Sequence, residues 1–142
     1  MAKWINNEYL AGFFDGEGSI AVNRQGWKIV ISITNTYLPI LKEFQKRFGG
    51  QIDLVKSLNK NHFKSNKKRW HWRIQTKDKM TKFLEVLFPF LVEKQKRAII
   101  GLKILAKMSS GRGNHGNTDM ATRKLLVEKL SALNRRGAYS NG

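Results

Sequence analysis

Residues 10–18, with the sequence LAGFFDGEG, constrain the fold of this chain more than any other segment. Three glycines and two acids follow an apolar start, in a chain whose formal net charge is +17. Residues 6–22 contain no Lys or Arg, so Asp15 and Glu17 have no cation beside them in the sequence. We expect a helix over residues 7–15 that the glycines end. Acids at the C-terminal end of a helix repel its free carbonyls, so the segment predicts a cation site.

The two acids of this segment are expected to differ in role. Carboxylate and carbonyl oxygens are hard ligands, which suit Mg²⁺ rather than a soft metal. We expect Glu17 to bind the metal. Asp15 is instead expected to accept hydrogen bonds from local backbone amides.

One face of the predicted helix combines small and aromatic residues: Tyr9, Gly12, Phe13 and Gly16. Gly12 and Gly16 are four residues apart, a spacing that lets two helix backbones approach closely. We expect this face to pack closely against another helix. The alternative is tight packing of the helix on the chain's own sheet.

Length and composition predict one globular domain over residues 1–142 that binds nucleic acid. The 27 Lys and Arg against 10 Asp and Glu favour a polyanionic partner over an anionic membrane. No apolar run approaches the length of a membrane span, and the absence of a signal-peptide pattern favours an intracellular location. That location is the cytoplasm, or an organelle matrix in a eukaryotic host. The chain has no cysteine, which excludes disulfides and thiolate metal sites.

The order of predicted elements is αββαββ followed by further helices. The predicted strands cover residues 19–24, 27–34, 51–57 and 69–76. The second predicted helix begins near Pro39 and ends at Gly49. Three further helices are predicted over residues 79–88, 91–108 and 120–134. Loops are expected at residues 58–68 and 109–117, and a loose tail at residues 135–142.

The strands alternate apolar and polar residues. In the second strand Ile29, Ile31 and Ile33 point to one side, and the polar residues between them point to the other. This pattern predicts an α+β fold in which helices cover one face of an antiparallel sheet and leave the other face free. Side chains on the free face suit base-edge and phosphate contacts: Asn23, Lys28, Ser32, His71, Arg73 and Gln75.

Two other patterns predict no further site. Residues 111–116, GRGNHG, fit the G-x-G-x-x-G pattern, but they follow a predicted helix rather than a strand. No nucleotide cofactor is therefore expected. His62, His71 and His115 lie far apart in the sequence, which predicts no His-based nuclease site.

Residues 10–18 resemble the signature of the LAGLIDADG homing endonucleases, in the variant with Phe-Phe and Gly-Glu in its centre. The αββαββ order continues the resemblance, and Pro89-Phe90-Leu91 followed by Lys94-Gln95 is similar to the family's segment after the fourth strand. The resemblance implies the αββαββα homing-endonuclease fold with a saddle-shaped antiparallel sheet. Because the chain holds one motif, it also implies a homodimer whose interface is the motif helix, with Tyr9, Gly12, Phe13 and Gly16 packing across the two-fold axis.

The resemblance further implies the roles of four residues. Glu17 would bind divalent metal, and the carbonyl of Gly16 would add a ligand. Lys94 stands where the family places a basic residue near the metal-bound water. Asn35, at the end of the second strand, matches a residue that positions water.

One position departs from the family. Where some members carry an arginine after the second strand, this chain has Leu38-Pro39. A second cation in the active site is therefore unassigned, and Lys28 and Arg73 are the substitutes to consider.

The implied activity is cleavage of both strands of a near-palindromic double-stranded DNA, leaving 3′ overhangs. The implied cofactor is Mg²⁺, with Mn²⁺ substituting and Ca²⁺ supporting binding without cleavage; two-metal displacement is one route for such hydrolysis. The residues expected to contact DNA are Ser19, Ala21, Asn23, Arg24, Lys28, Ser32, Lys56, Lys68, Arg69, His71, Arg73 and Gln75.

Two other functions are compatible with parts of the sequence. A non-cleaving protein on the same fold, such as an intron RNA maturase or a DNA-binding regulator, could keep every residue named above. A basic structural RNA-binding protein would explain the charge but not the segment of glycines and acids.

Overall fold

The computed structural model describes residues 5–56, 67–108 and 117–139. Most of the two predicted loops lies outside these residues, as do His62, His115 and the GRGNHG segment. Within them the order of elements is α1 (Asn7–Glu17), β1 (Gly18–Asn23), β2 (Lys28–Asn35), α2 (Leu38–Phe48), β3 (Gln51–Leu54), β4 (Trp70–Ile74), α3 (Lys77–Leu87), a short 3₁₀ turn (Phe88–Phe90), α4 (Gln95–Ala106) and α5 (Asn117–Tyr139). The predicted α+β class and αββαββ order are confirmed.

Several predicted boundaries are wrong. The first helix does not end at residue 15 but continues through Gly16 to Glu17, and the third strand ends at Leu54 rather than at residue 57. The helix predicted over residues 91–108 begins only at Gln95, because the 3₁₀ turn, a bend and a turn precede it. The last helix does not end at residue 134 but continues to Tyr139, so part of the predicted loose tail is helical.

The four strands form one antiparallel sheet in the order β1-β2-β4-β3. Its register aligns Ser19 with Ser32, Ser32 with Arg73, and Arg73 with Gln51, which makes one polar row across all four strands. On the opposite face Ile20, Ile31 and Ile74 are buried under the helices. The predicted alternation is therefore confirmed, and the polar face is free of helices.

Aromatic side chains fill the space between the sheet and the helices. The ring of Phe83 on α3 lies 4.9 Å from that of Phe14 and 5.6 Å from that of Trp72. The ring of Phe44 on α2 lies 5.2 Å from that of Trp72. Trp72 also donates from its indole nitrogen to the carbonyl of Gly49 at 2.8 Å, which satisfies its buried polar group. Trp72 is thus a core residue.

The turn between α2 and β3 needs its two glycines. Gly49 and Gly50 have φ angles of +77° and +98°, which other residues rarely adopt. A Cβ on Gly50 would also lie 2.5 Å from the carbonyl oxygen of Arg73 on β4. The pair therefore ends α2 and lets β3 lie directly against β4.

The three glycines of residues 10–18 have different surroundings. A Cβ on Gly18 would overlap the ring of Phe14, whereas a Cβ on Gly12 or Gly16 would meet no atom of the described residues within 4 Å. Gly12 and Gly16 are both exposed. The alternative in which these two glycines pack on the chain's own sheet is therefore wrong.

We predict that Gly18→Ala destabilises the fold by about 1–3 kcal/mol, because the added methyl group overpacks the Phe14 ring. The measurement is the free energy of unfolding in urea. Gly26→Ala is the matched control, since a Cβ there would meet only the flexible side chain of Lys28. Equal free energies of unfolding for the two variants would contradict the packing role of Gly18.

Candidate active site and nucleic-acid interface

Helix α1 presents its last turn at the edge of the sheet. The helix begins where the side chain of Asn6 accepts a hydrogen bond from the Tyr9 amide at 2.9 Å. It ends at Glu17, and the chain then enters β1 directly. The carbonyl of Gly16 thus has no residue four positions later within the helix to donate to it. Gly16 and Glu17 are both exposed residues.

Asp15 has a structural role that separates it from Glu17. Its carboxylate accepts hydrogen bonds from the backbone amides of Val92 at 2.7 Å and of Lys94 at 2.9 Å. The predicted acceptance from backbone amides is confirmed, but the prediction that these amides are local is wrong. They come from the segment before α4, because the end of α1 packs against that segment.

Lys94 lies at the end of α1, as expected. Its ammonium group donates to the carbonyl of Asp15 at 2.5 Å and to the carboxylate of Glu93 at 3.1 Å. It also lies 5.9 Å from the centre of the Phe14 ring, and the residue is only 9% exposed. These contacts hold the nearly buried positive charge of Lys94 against the carbonyl of Asp15, which lies two residues before Glu17.

Asn35 is the last residue of β2, at the end of the sheet where α1 leads into β1. Gly18 pairs with Ile33, so Asn35 lies two residues beyond the last pair of β1 and β2. Its side-chain oxygen accepts a hydrogen bond from the Tyr37 amide at 2.9 Å, which forms the turn into α2. Its role in positioning water stays a prediction.

The donor set at the end of α1 fits Mg²⁺. Glu17 offers a carboxylate and Gly16 a carbonyl, and Mg²⁺ in proteins is commonly held by one or two carboxylates together with substrate phosphates and water. No group of three or more His, Cys, Asp or Glu suited to a metal occurs in the part of the chain that the structure describes.

The free face of the sheet carries most of the residues expected to contact nucleic acid. Those on the strands of this face or directly after them are Ser19, Ala21, Asn23, Lys28, Ser32, His71, Arg73 and Gln75. Lys56, Lys68 and Arg69 are exposed next to β3 and β4. Thr34 lies on this face, as its place in the alternation of β2 predicts. Gln51 and Asp53 also belong to it and were not predicted, although the period of two along β3 was a signal that could have found them.

Several of these side chains already have partners on the free face. The Nδ1 atom of His71 lies 2.8 Å from the hydroxyl of Thr34, and Arg73 forms an ion pair with Asp53 at 3.6 Å. Burial lowers the pKa of His71, and the nearby charge of Arg73 lowers it further against the opposing effect of Asp53. His71 is therefore neutral at pH 7, and Arg73 is held in position.

Arg24 is not part of this arrangement. Its guanidinium group pairs with Glu128 at 2.5 Å and donates to the hydroxyl of Ser131 at 3.0 Å, and both partners lie on α5. The contact ties the β1–β2 hairpin to α5. Contact of Arg24 with DNA stays a prediction.

A family model described as LAGLIDADG-like domain matches residues 4–87, more than half of the chain. The chain belongs to the LAGLIDADG homing endonuclease family. The matched residues include the motif helix, the whole described sheet and α3. The resemblance carried by residues 10–18 is thereby confirmed.

Solved structures of LAGLIDADG homing endonucleases share the fold. I-CvuI, in complex with the I-CreI target in the presence of Mg, has a TM-score of 0.69 and 22% identity over 89% of this chain and 80% of that chain. The archaeal intron-encoded I-Vdi141I, complexed with DNA, has a TM-score of 0.68 and 19% identity over 89% of this chain and 82% of that one. I-SmaMI, bound to uncleaved DNA with calcium ions, has a TM-score of 0.55 and 22% identity over 91% of this chain but 42% of its own.

No helix in the described ranges of this LAGLIDADG protein is long and apolar enough to cross a bilayer.

We predict that Asp15→Asn lowers the free energy of unfolding by about 1–3 kcal/mol, because the new amide nitrogen cannot accept a backbone hydrogen bond. Glu17→Gln is the matched control, and it should change stability by less than about 0.5 kcal/mol, as for other exposed positions. Urea denaturation of both variants measures this. A larger loss for Glu17→Gln than for Asp15→Asn would reverse the roles given to the two acids.

Proposed function

We propose that this protein is a homodimeric, site-specific endonuclease that cuts both strands of a long, near-palindromic double-stranded DNA with Mg²⁺, leaving 3′ overhangs. The observation that carries the proposal is the arrangement of α1. One side of this helix is buried in the core, while the other exposes a close-approach surface and, at its end, the carboxylate of Glu17.

The exposed side of α1 supports a dimer. Gly12 and Gly16 have no atom of the described residues within 4 Å of a built Cβ, and Tyr9 beside them is 42% exposed. Phe13 lies at the border, since its ring is also 6.0 Å from that of Phe44 in the core. A second α1 can approach closely over the two glycines. Two-fold symmetry then brings two copies of Glu17 near the axis, one for each DNA strand.

The residues at the end of α1 suit phosphodiester hydrolysis. Glu17 and the carbonyl of Gly16 would hold Mg²⁺, which neutralises phosphate charge and acidifies water when bound. Lys94 adds a fixed positive charge, and we propose that it stabilises the negative charge that develops during cleavage. Asn35 would orient the attacking water with its side-chain amide. Mn²⁺ should substitute for Mg²⁺, and Ca²⁺ should support binding without cleavage.

The free face of the sheet supplies the DNA-binding surface in this proposal. Lys28 and Arg73 would contact phosphates or base edges, and Lys56, Lys68 and Arg69 would contact the backbone at the outer end of the sheet. Two chains of charge +17 give a dimer of charge +34. Binding should therefore depend strongly on salt, with a slope of about −0.9 in log K against log salt for each neutralised phosphate.

We predict that Glu17→Gln abolishes cleavage while leaving DNA affinity equal or higher, because it removes a metal ligand and a negative charge that faces phosphate. The substrate is a site selected for binding from a randomised library in Ca²⁺. Cleavage is then measured on supercoiled plasmid in Mg²⁺ and affinity by fluorescence anisotropy in Ca²⁺. Glu8→Gln, an exposed acid in the first turn of α1, is the control and should cut normally.

Two outcomes of that experiment would count against the proposal. Cleavage by Glu17→Gln at the rate of the unsubstituted protein would remove the metal assignment. Tight, selective binding by the unsubstituted protein without cleavage in Mg²⁺ or Mn²⁺ would instead identify a non-cleaving regulator or maturase.

We predict that Gly16→Ser and Gly12→Ser each weaken dimerisation by roughly tenfold or more, since overpacking a close contact costs about 1–3 kcal/mol. Neither side chain meets an atom of its own described chain, so circular dichroism should show an unchanged fold. Sedimentation equilibrium measures the dimer constant. A constant equal to that of a Gly26→Ala control would refute the interface.

A further inference from the structure

A polar cavity of about 280 Å³ lies beside the end of α1, between the edge strand β1 and helices α4 and α5. The first three residues of β1 line it together with Glu93, Lys94, Arg97 and Asn134. Ser19, on the polar face of β1, is exposed, so the cavity reaches the surface that would face DNA.

One carboxylate bridges the two cations of this cavity. Glu93 accepts a hydrogen bond from Lys94 at 3.1 Å with one oxygen and from Arg97 at 2.9 Å with the other. Burial raises the pKa of Glu93, but these two hydrogen bonds outweigh it and lower the pKa below its ordinary value. The cavity is therefore built around a bound anion.

The cations are held in place by contacts that do not involve Glu93. Lys94 also donates to the carbonyl of Asp15 at 2.5 Å. Arg97 also donates to the side chain of Asn134 at 3.1 Å and to the carbonyl of Leu133 at 3.2 Å. Their side chains are only 11% and 13% exposed, whereas that of Glu93 is 56% exposed. Glu93 is the member of the group that can leave without disturbing the other two.

A phosphodiester has the chemistry to replace this carboxylate. It carries one negative charge and two non-bridging oxygens, which a lysine and an arginine can bind as they bind the two oxygens of Glu93. We propose that the cavity binds a backbone phosphate of the DNA strand next to the cleavage site, and that Glu93 occupies it in the free protein as a built-in competitor. This inference rests on the proposed function. It adds a phosphate subsite and a residue, Glu93, that occupies the subsite in the free protein.

The first test compares two exposed acids. Glu93→Gln should tighten DNA binding in Ca²⁺ by roughly tenfold, because the competing carboxylate is gone while the cations stay. Glu85→Gln removes the same charge from the exposed surface of α3 and should change affinity by less than about twofold, since isolated surface charges are screened. Equal gains in affinity for the two variants would show that only the net charge matters, and this result would overturn the proposal.

The second test determines whether the gain in DNA affinity of Glu93→Gln depends on Arg97. Arg97→Gln should reduce the salt slope of a dimer by about 1.8, which is 0.9 for each lost phosphate contact. In that background Glu93→Gln should gain much less affinity than it does alone. Arg97→Lys keeps the charge and should keep the slope, and circular dichroism of each variant checks that the fold is retained. An unchanged slope in a folded Arg97→Gln variant would overturn the subsite.

The remaining outcomes separate this inference from the proposed function. If Glu93→Gln slows cleavage in Mg²⁺ without raising affinity in Ca²⁺, Glu93 positions Lys94 and the competitor role is wrong. If the unsubstituted protein binds and cuts DNA but Glu93→Gln changes neither, only the phosphate subsite fails. If the unsubstituted protein binds no DNA, the proposed function itself fails.

Discussion

The closure of the end of α1 on the segment before α4 is the contact on which the rest of the structure depends. Asp15 accepts two backbone amides of that segment, and the ammonium group of Lys94 returns a hydrogen bond to the carbonyl of Asp15. These bonds satisfy groups at a helix end that would otherwise need water. They also anchor the end of α1, where Glu17 is exposed two residues after the carbonyl that the nearly buried Lys94 contacts. Asp15, which has a structural role, thus positions Glu17, which has the proposed catalytic role.

The two sides of α1 show why its glycines are not interchangeable. Leu10, Ala11 and Phe14 are buried, and Gly18 gives the Phe14 ring its space. Gly12 and Gly16 have no such reason within the described chain, although glycine in a helix costs about 1 kcal/mol relative to alanine. A cost without a benefit inside the described chain is consistent with a benefit outside it, which in the proposed dimer is the close contact of two α1 helices.

Several of the few acids in this basic chain form ion pairs with cations. Asp53 pairs with Arg73 on the sheet, Glu128 pairs with Arg24 at the hairpin, and Glu93 joins Lys94 and Arg97. Exposed pairs of this kind contribute little to stability. In the proposed function, the pairs of Asp53 and Glu93 would fix long cationic side chains before DNA binds, which lowers the entropy lost on binding. In the cavity beside α1, the proposed role of the Glu93 carboxylate is also to occupy the site until a phosphate replaces it.

The sequence by itself determined the features that depend on neighbouring residues. The period of two in β2 placed Ile29, Ile31 and Ile33 on the core side. Gly49 and Gly50 ended α2, and residues 10–18 identified the family and singled out Glu17. Tertiary structure alone decided which groups meet across the fold. Asp15 bonds to amides 77 and 79 residues away, and Arg24 bonds to an acid 104 residues away. No local pattern encodes such pairs, because they follow from how the end of α1, the hairpin and the C-terminal helices pack together.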